Sequence, residues 1–245
     1  AVSINGKIYN RALKIFTLSK YHPVGVMIYS SATFMQTPWE TIIKMYRAQL
    51  KETSFNTLND YVDNFKAYIH SQDFFMDENI QKDYLLSSLF YPLYNNIFNL
   101  AEPKVTAALP ILDSINQECD SLTASWSVDY GLCNEFADFN IEQFNAYLGD
   151  TFENSVTEFF NLKGVAITDA IKEKLKIIAL GIIRNEEQFT FYTGLVFVGY
   201  GNNQIFPSLI SANIHFGIQE RLKFYETDSV SVTHNMTSAI RPFAQ

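Results

Sequence analysis

Four histidines are the side chains in this sequence with the most evident chemical potential, because an imidazole can bind a metal ion or transfer a proton. They are His22, His70, His215 and His234, and none has a histidine, cysteine or carboxylate at a metal-ligand spacing. The serine-hydrolase pattern Gly-x-Ser-x-Gly is absent from the sequence, so a spatial Ser-His-Asp triad is open but unsupported. The sequence therefore predicts no metal site and no cofactor.

Lys14 stands directly before an otherwise apolar, threonine-containing run at residues 15–18. A lysine in such a place is typical of an exposed strand edge, where its charge discourages pairing with another chain. On local evidence alone, this edge role is the favoured interpretation.

The elements that would position Lys14 are two short β-prone runs, 14–18 and 24–29, on either side of a turn that contains Pro23. Together they predict a β-hairpin. The next segment, Thr37-Pro38-Trp39-Glu40, fits a capping box with Thr37 at the N-cap, and it predicts a helix over 38–51.

Apolar residues at helical spacing predict a long helical block, and period-2 patterns predict strands after residue 188. The predicted helices are at about 57–70, from 80 to a stop or kink at Pro92, at 103–135, at 141–159, and from a cap at Thr168 onward; the predicted strands are 189–200, 205–216 and 219–226. This order indicates an α+β fold with helices packed on a mainly antiparallel sheet. No repeat or flexible linker interrupts it, so we expect one domain.

Composition narrows the classes of partner. The chain of 245 residues is 47% hydrophobic and carries a formal net charge of −8 with a pI near 5.0. Nucleic acids and anionic membranes are disfavoured, because phosphate contacts need clustered Lys and Arg. No run reaches the roughly 18 to 20 apolar residues of a membrane span. Cys119 and Cys133 are the only cysteines; a disulfide between them is possible, but a reducing cytoplasm is the default expectation.

Several segments, taken in order, resemble the proteasome-type N-terminal-nucleophile hydrolases, and specifically a bacterial proteasome-like protein. The resemblance covers roughly residues 1–50 and 189–245. It is carried by Ala1-Val2-Ser3, Lys7-Ile8-Tyr9-Asn10, Lys14-Ile15-Phe16, the segment from Gly25 to Ala32, the segment from Thr193 to Tyr200, and Pro207-Ser208-Leu209.

The resemblance implies a layered fold in which the early and late strands belong to one system of sheets. It implies a single domain over 1–245, with an enlarged helical insertion at about 53–188. Ser30 and Ser31 stand where the family usually has glycines. The family's terminal Thr, Ser or Cys nucleophile and its aspartate would lie upstream of Ala1, so we expect a chain that is trimmed at both ends.

The resemblance also implies a mechanism. The terminal side chain attacks an amide carbonyl of a peptide or amide substrate, and its own α-amine acts as the base. Lys14 would lower the pKa of the nucleophile, and Ser30 or Ser31 would donate a backbone N–H to the tetrahedral intermediate. Homo-oligomers are a further expectation.

Two alternatives to an enzyme stay open. The first is a non-catalytic scaffold of the same fold, which would use its long helical block for protein interactions. The second is an unrelated α+β binding domain with an aromatic-lined pocket.

Overall fold

The computed structural model describes residues 2–4, 7–9, 14–72, 77–126, 131–186, 191–236, 238 and 240–243. The chain divides into two compact units. The sheet unit comprises residues 1–77 and 191–245, and the helical unit comprises residues 78–190.

The sheet unit is built on a five-stranded antiparallel sheet with the strand order β3-β4-β7-β8-β9. The five strands are β3 (Ile15–Thr17), β4 (Val24–Ser30), β7 (Thr193–Gly199), β8 (Ser208–Ile218) and β9 (Arg221–Ser231). Two short hairpins complete the described strands: β1 (Val2–Ile4) with β2 (Lys7–Tyr9), and β5 (Thr33–Phe34) with β6 (Thr37–Pro38).

Within the sheet, a strand from the early part of the chain pairs with a strand from the late part. β4 pairs with β7 along its whole length, from Val24 opposite Gly199 to Ser30 opposite Thr193. The paired strands contribute Val24, Val26 and Ile28 of β4 and Leu195, Val196 and Phe197 of β7 to the core. The expectation that early and late strands share one sheet is confirmed, as is the coarse prediction of an α+β fold with antiparallel sheets.

One face of the sheet is covered by α1 (Trp39–Leu50) and α2 (Leu58–His70). Their apolar residues recur at i, i+3, i+4 and i+7, and these residues are the ones that the fold buries. Phe65 of α2 packs edge-on against Phe197 of β7, with ring centroids 5.6 Å apart.

The capping box predicted at Thr37 is wrong, although the helix begins within one residue of its predicted start. Thr37 lies in β6 opposite Phe34, and the N-cap residue of α1 is Pro38, which makes no side-chain cap hydrogen bond. Thr37 is a strand residue of the β5–β6 hairpin and lies one position before the N-cap, so it does not occupy the cap position of the helix.

The helical unit consists of α3 (Glu78–Leu85), α4 (Tyr91–Ala101), α5 (Ile111–Trp126), α6 (Ile141–Leu162) and α7 (Asp169–Arg184). Aromatic residues from α4, α6 and the turn before α4 form its core. Phe90 packs edge-on against Phe152 at 5.3 Å, and the Tyr94 hydroxyl lies 3.0 Å from Ser155 Oγ. None of the described helices combines the length and the apolarity that crossing a membrane requires.

At two prolines of the helical unit, the helix boundaries differ from those that the apolar periodicity predicts. Pro92 does not stop the helix; a π-helical turn, Leu86–Phe90, precedes it, and α4 continues through it. Pro92 has no N–H to donate to a preceding carbonyl, and the wider turn accommodates this loss. The helix predicted over 103–135 is too long, since α5 begins only after Pro110.

Residues 127–130 of that predicted helix, and residues 189 and 190 of the predicted strand 189–200, lie outside the described residues. The predicted single domain with an insertion at about 53–188 stays a prediction. Within that range, α2 belongs to the sheet unit.

Candidate functional site

Lys14 lies immediately before β3, and its backbone is tied to β4. The carbonyl oxygen of Lys14 accepts a hydrogen bond of 2.7 Å from the N–H of Ile28. Directly opposed residues of an antiparallel pair project to the same face, so Lys14 shares a face with the buried Ile28. The Lys14 side chain is half-buried, and no carboxylate in the described parts of the chain forms an ion pair with it.

Ser30 and Ser31 direct their backbone N–H groups to opposite sides of β4. The N–H of Ser31 donates to the carbonyl of Tyr192 at 3.2 Å, so it is already engaged on the β7 side. Successive N–H groups of a strand alternate in direction, so the N–H of Ser30 points to the same edge as that of Ile28. Ser30 is two residues, or about 7 Å, beyond the pair formed by Ile28 and Lys14. Lys14 and the N–H of Ser30 thus lie along the same edge of β4, the one that faces β3.

The backbone from Ser30 to Gln36 is strained, and we call these residues the strained segment. The φ angles are 66° at Ser30, 44° at Met35 and 73° at Gln36. Met35 and Gln36 form the two-residue loop between β5 and β6, where positive φ at both positions ordinarily selects Gly or Asn. Left-handed non-glycine residues cost of order 1–3 kcal/mol each, and they persist where the surroundings hold them.

Side chains hold the strained segment from both sides. The Ser31 hydroxyl donates to the Thr33 carbonyl at 2.8 Å and accepts from the Thr33 N–H at 3.2 Å. On the covered face, the Thr193 hydroxyl lies against the carbonyls of Ser31 and Thr33, and the Trp39 indole N–H donates to that hydroxyl. Neither Thr193 nor Trp39 is marked as a site residue in the sequence, since Trp39 belongs there to the predicted capping box and Thr193 to a segment that carries the resemblance.

The opposite face of the sheet carries an aromatic cluster that begins next to the strained segment. Tyr29 lies edge-on to Tyr192 at 6.2 Å, and Tyr192 lies 5.8 Å from the His215 ring. His215 stacks on Tyr225, with its Nε2 atom 3.2 Å from the Tyr225 hydroxyl. Along β8, the polar residues Ser211, Asn213 and His215 alternate with apolar residues, and this alternation is the sequence signal that places His215 on this face.

His215 is almost completely buried, at 2% exposure. Burial, together with the positive charge of Lys223, lowers the pKa of the imidazole to about 3. His215 is therefore neutral near pH 7 and a weak base, which suits a packing and hydrogen-bonding role better than proton transfer.

The remaining histidines are dispersed over the sheet unit. His22 Nε2 lies 3.2 Å from the Glu52 carbonyl, His70 ends α2, and His234 packs against Phe206. In the described parts of the chain, no three His, Cys, Asp or Glu side chains are arranged to hold a metal ion.

Comparison with known proteins gave no match: no protein-family model, no curated protein and no solved structure is significantly similar to this chain. The functional argument therefore depends on the residues themselves and on the resemblance of their sequence segments.

Proposed function

We propose that the chain is the central part of a proteasome-like N-terminal-nucleophile hydrolase, which cleaves peptide or amide bonds with a nucleophile supplied from upstream of residue 1. The observation that carries the proposal is the common edge of Lys14 and Ser30, joined through the hydrogen bond between Ile28 N–H and Lys14 O. The pairing of the early strand β4 with the late strand β7 supports it further.

Each group has a defined task in the proposed reaction. The terminal Thr, Ser or Cys side chain adds to the substrate carbonyl, and its proton passes to the terminal α-amine. The Lys14 ammonium favours the ionised nucleophile electrostatically and so lowers its pKa. The N–H of Ser30 donates to the oxyanion of the tetrahedral intermediate. The leaving amine takes the proton, and water then hydrolyses the acyl-enzyme.

Ser31 has a supporting task in this scheme. Its N–H is bonded to Tyr192 and its hydroxyl to Thr33, so it fixes the backbone on which Ser30 sits. We further propose a cytoplasmic location, from the cysteine usage, and a homo-oligomer.

The test begins with the native coding sequence, expressed with the residues that precede Ala1. We expect processing to a terminal Thr, Ser or Cys, and hydrolysis of fluorogenic peptide amides.

Lys14→Ala and Lys14→Met should abolish turnover and leave the circular dichroism spectrum unchanged, because each removes the charge while the strand pairing uses only the backbone. Lys20→Ala, in the exposed turn, is the matched control and should retain activity. The chain from residue 1 to 245 alone should show no peptidase activity. Full activity in either Lys14 variant would overturn the catalytic role.

A second candidate is a non-catalytic scaffold of the same fold. It is favoured by the separate compactness of the helical unit, which would offer a partner its own folded surface. The two candidates differ in one observable. A β-lactone probe that acylates a terminal nucleophile should label the processed enzyme once per chain, whereas it should not label a scaffold.

A further inference from the structure

Three successive carbonyls of the strained segment contact two buried residues, Thr193 and Trp39. The Ala32 carbonyl accepts a hydrogen bond of 3.1 Å from the backbone N–H of Trp39. The carbonyl oxygens of Ser31 and Thr33 lie 3.3 Å and 3.4 Å from Thr193 Oγ1. The indole Nε1 of Trp39 lies 2.8 Å from the same Thr193 Oγ1 atom.

The chemistry of these groups fixes the direction of every hydrogen bond. An indole N–H can only donate, so Thr193 Oγ1 accepts from Trp39. The single proton of the Thr193 hydroxyl then donates to the Ser31 or the Thr33 carbonyl, since carbonyls can only accept. Trp39 is 0% exposed and Thr193 is 2% exposed, so water does not compete for these bonds.

The position of Thr193 explains how the backbone at Ser30 is held. Thr193 is directly opposite Ser30 in the pairing of β4 with β7. Ser31 is tied to β7 twice, because its N–H donates to the Tyr192 carbonyl and its own carbonyl lies within reach of the Thr193 hydroxyl. When the Thr193 hydroxyl donates to the Ser31 carbonyl, Ser31 is held at both of its backbone polar groups. Ser30 then cannot return to an extended conformation without breaking one of the two bonds.

We propose that Thr193 is a positioning residue, which works through Trp39 and the Ser31 backbone to keep the N–H of Ser30 directed along the edge that Lys14 occupies. This inference deepens the proposed function and rests on it for the catalytic consequence. Thr193 does not touch the reacting atoms. Its hydroxyl, rather than its size, carries the effect.

The first experiment measures structure rather than activity, by amide hydrogen exchange of residues 30–36 in the chain from 1 to 245. Thr193→Val keeps the shape and removes the hydroxyl, and it should accelerate exchange in the segment roughly tenfold, the change expected for one net hydrogen bond. Thr193→Ser restores the hydroxyl and should exchange at close to the original rate. Amides of α6 are the internal control and should not change.

The second experiment uses the processed full-length protein. Thr193→Val should lower kcat by about 10- to 100-fold with little change in KM, as expected when a reacting group is misplaced by about 1 Å. Thr193→Ser should recover most of the lost kcat.

The outcomes separate this inference from the proposed function. Unchanged exchange in Thr193→Val overturns the positioning role whatever the activity is. Faster exchange with an unchanged kcat also overturns it. Faster exchange in Thr193→Val, together with a full-length wild-type protein that hydrolyses nothing, would support the role of Thr193 in holding the segment and would overturn the proposed function. If Thr193→Val does not fold, Trp39→Phe removes the indole donor instead, and unchanged exchange there overturns the inference equally.

Discussion

The two units of this protein place left-handed backbone on different kinds of residue. In the described parts of the helical unit, positive φ falls on Gly131 and Gly164, where no side chain is strained. Gly164 ends α6 in the usual way, with the Val165 N–H bonded back to the Phe160 carbonyl. In the sheet unit, positive φ also falls on residues that carry side chains, and three of these, Ser30, Met35 and Gln36, lie in the strained segment.

The start of α1, next to the strained segment, also differs from the start of α6 in the helical unit. α6 begins with a reciprocal capping box between Asn140 and Gln143, whose local bonds are sufficient to start a helix. α1, which follows the strained segment, has no side-chain cap, and its first N–H donates to Ala32 instead. The contrast is specific to the strained segment, since α2 of the sheet unit also begins with a capping box, between Thr57 and Asp60. The start of α6 depends on neighbouring residues, whereas the strained segment is held by contacts that include distant ones.

The largest expected effect concerns a buried titratable group of the sheet unit. The pKa of His215 is lowered to about 3 in the fold, against about 6.5 in the unfolded chain. Between these values the unfolded chain binds more protons than the folded one, so stability falls as the pH falls. From pH 7 to pH 5 the loss should reach at most about 2 kcal/mol. Urea denaturation at several pH values measures this slope.

Two variants test whether His215 causes this pH dependence. His215→Gln should flatten the slope between pH 7 and pH 5, because glutamine does not titrate. The exposed His234 is the matched control, and His234→Gln should leave the slope as it was. An equal slope in all three proteins would show that His215 does not cause the pH dependence of stability.

A reciprocal pair of substitutions tests the contrast in backbone strain directly. Gly164 and Gln36 have the same φ, 73°. Gly164→Ala should destabilise the protein by about 1–2 kcal/mol, since a Cβ there meets no atom within 4 Å and only the conformation is penalised. Gln36→Gly should have the opposite sign, with a gain below about 1 kcal/mol, because glycine also increases the entropy of the unfolded chain. Thermal denaturation measures both, and a loss of stability in Gln36→Gly would contradict strain at this position.

The smallest expected effect compares two threonines. The Thr57 hydroxyl accepts from the Asp60 N–H at 3.2 Å in the capping box of α2, so Thr57→Ala should cost about 1 kcal/mol. Thr37→Ala should cost less than about 0.5 kcal/mol, because Thr37 caps no helix. Equal losses in the two variants would restore the capping role of Thr37.

Much of the local structure followed from the sequence. The helices at 39–50, 58–70 and 141–162, and the cap at Thr168, were predicted because helical periodicity and N-caps depend on residues three or four positions apart. The hairpin that ends at Ser30 was predicted from its turn for the same reason. The pairing of β4 with β7 was expected from the resemblance and not from periodicity.

The left-handed backbone of the candidate site was decided by tertiary structure. Nothing near Ser30 in the chain requires a left-handed serine, since the bonds that hold it come from Tyr192 and Thr193 on a strand beyond the whole helical unit. The burial of His215 is likewise a property of the folded sheet face. Short-range patterns determine which segments become helices and strands, including the hairpin that aligns Lys14 with the end of β4. Backbone strain at Ser30 and the burial of His215 arise only when distant strands pair and exclude water.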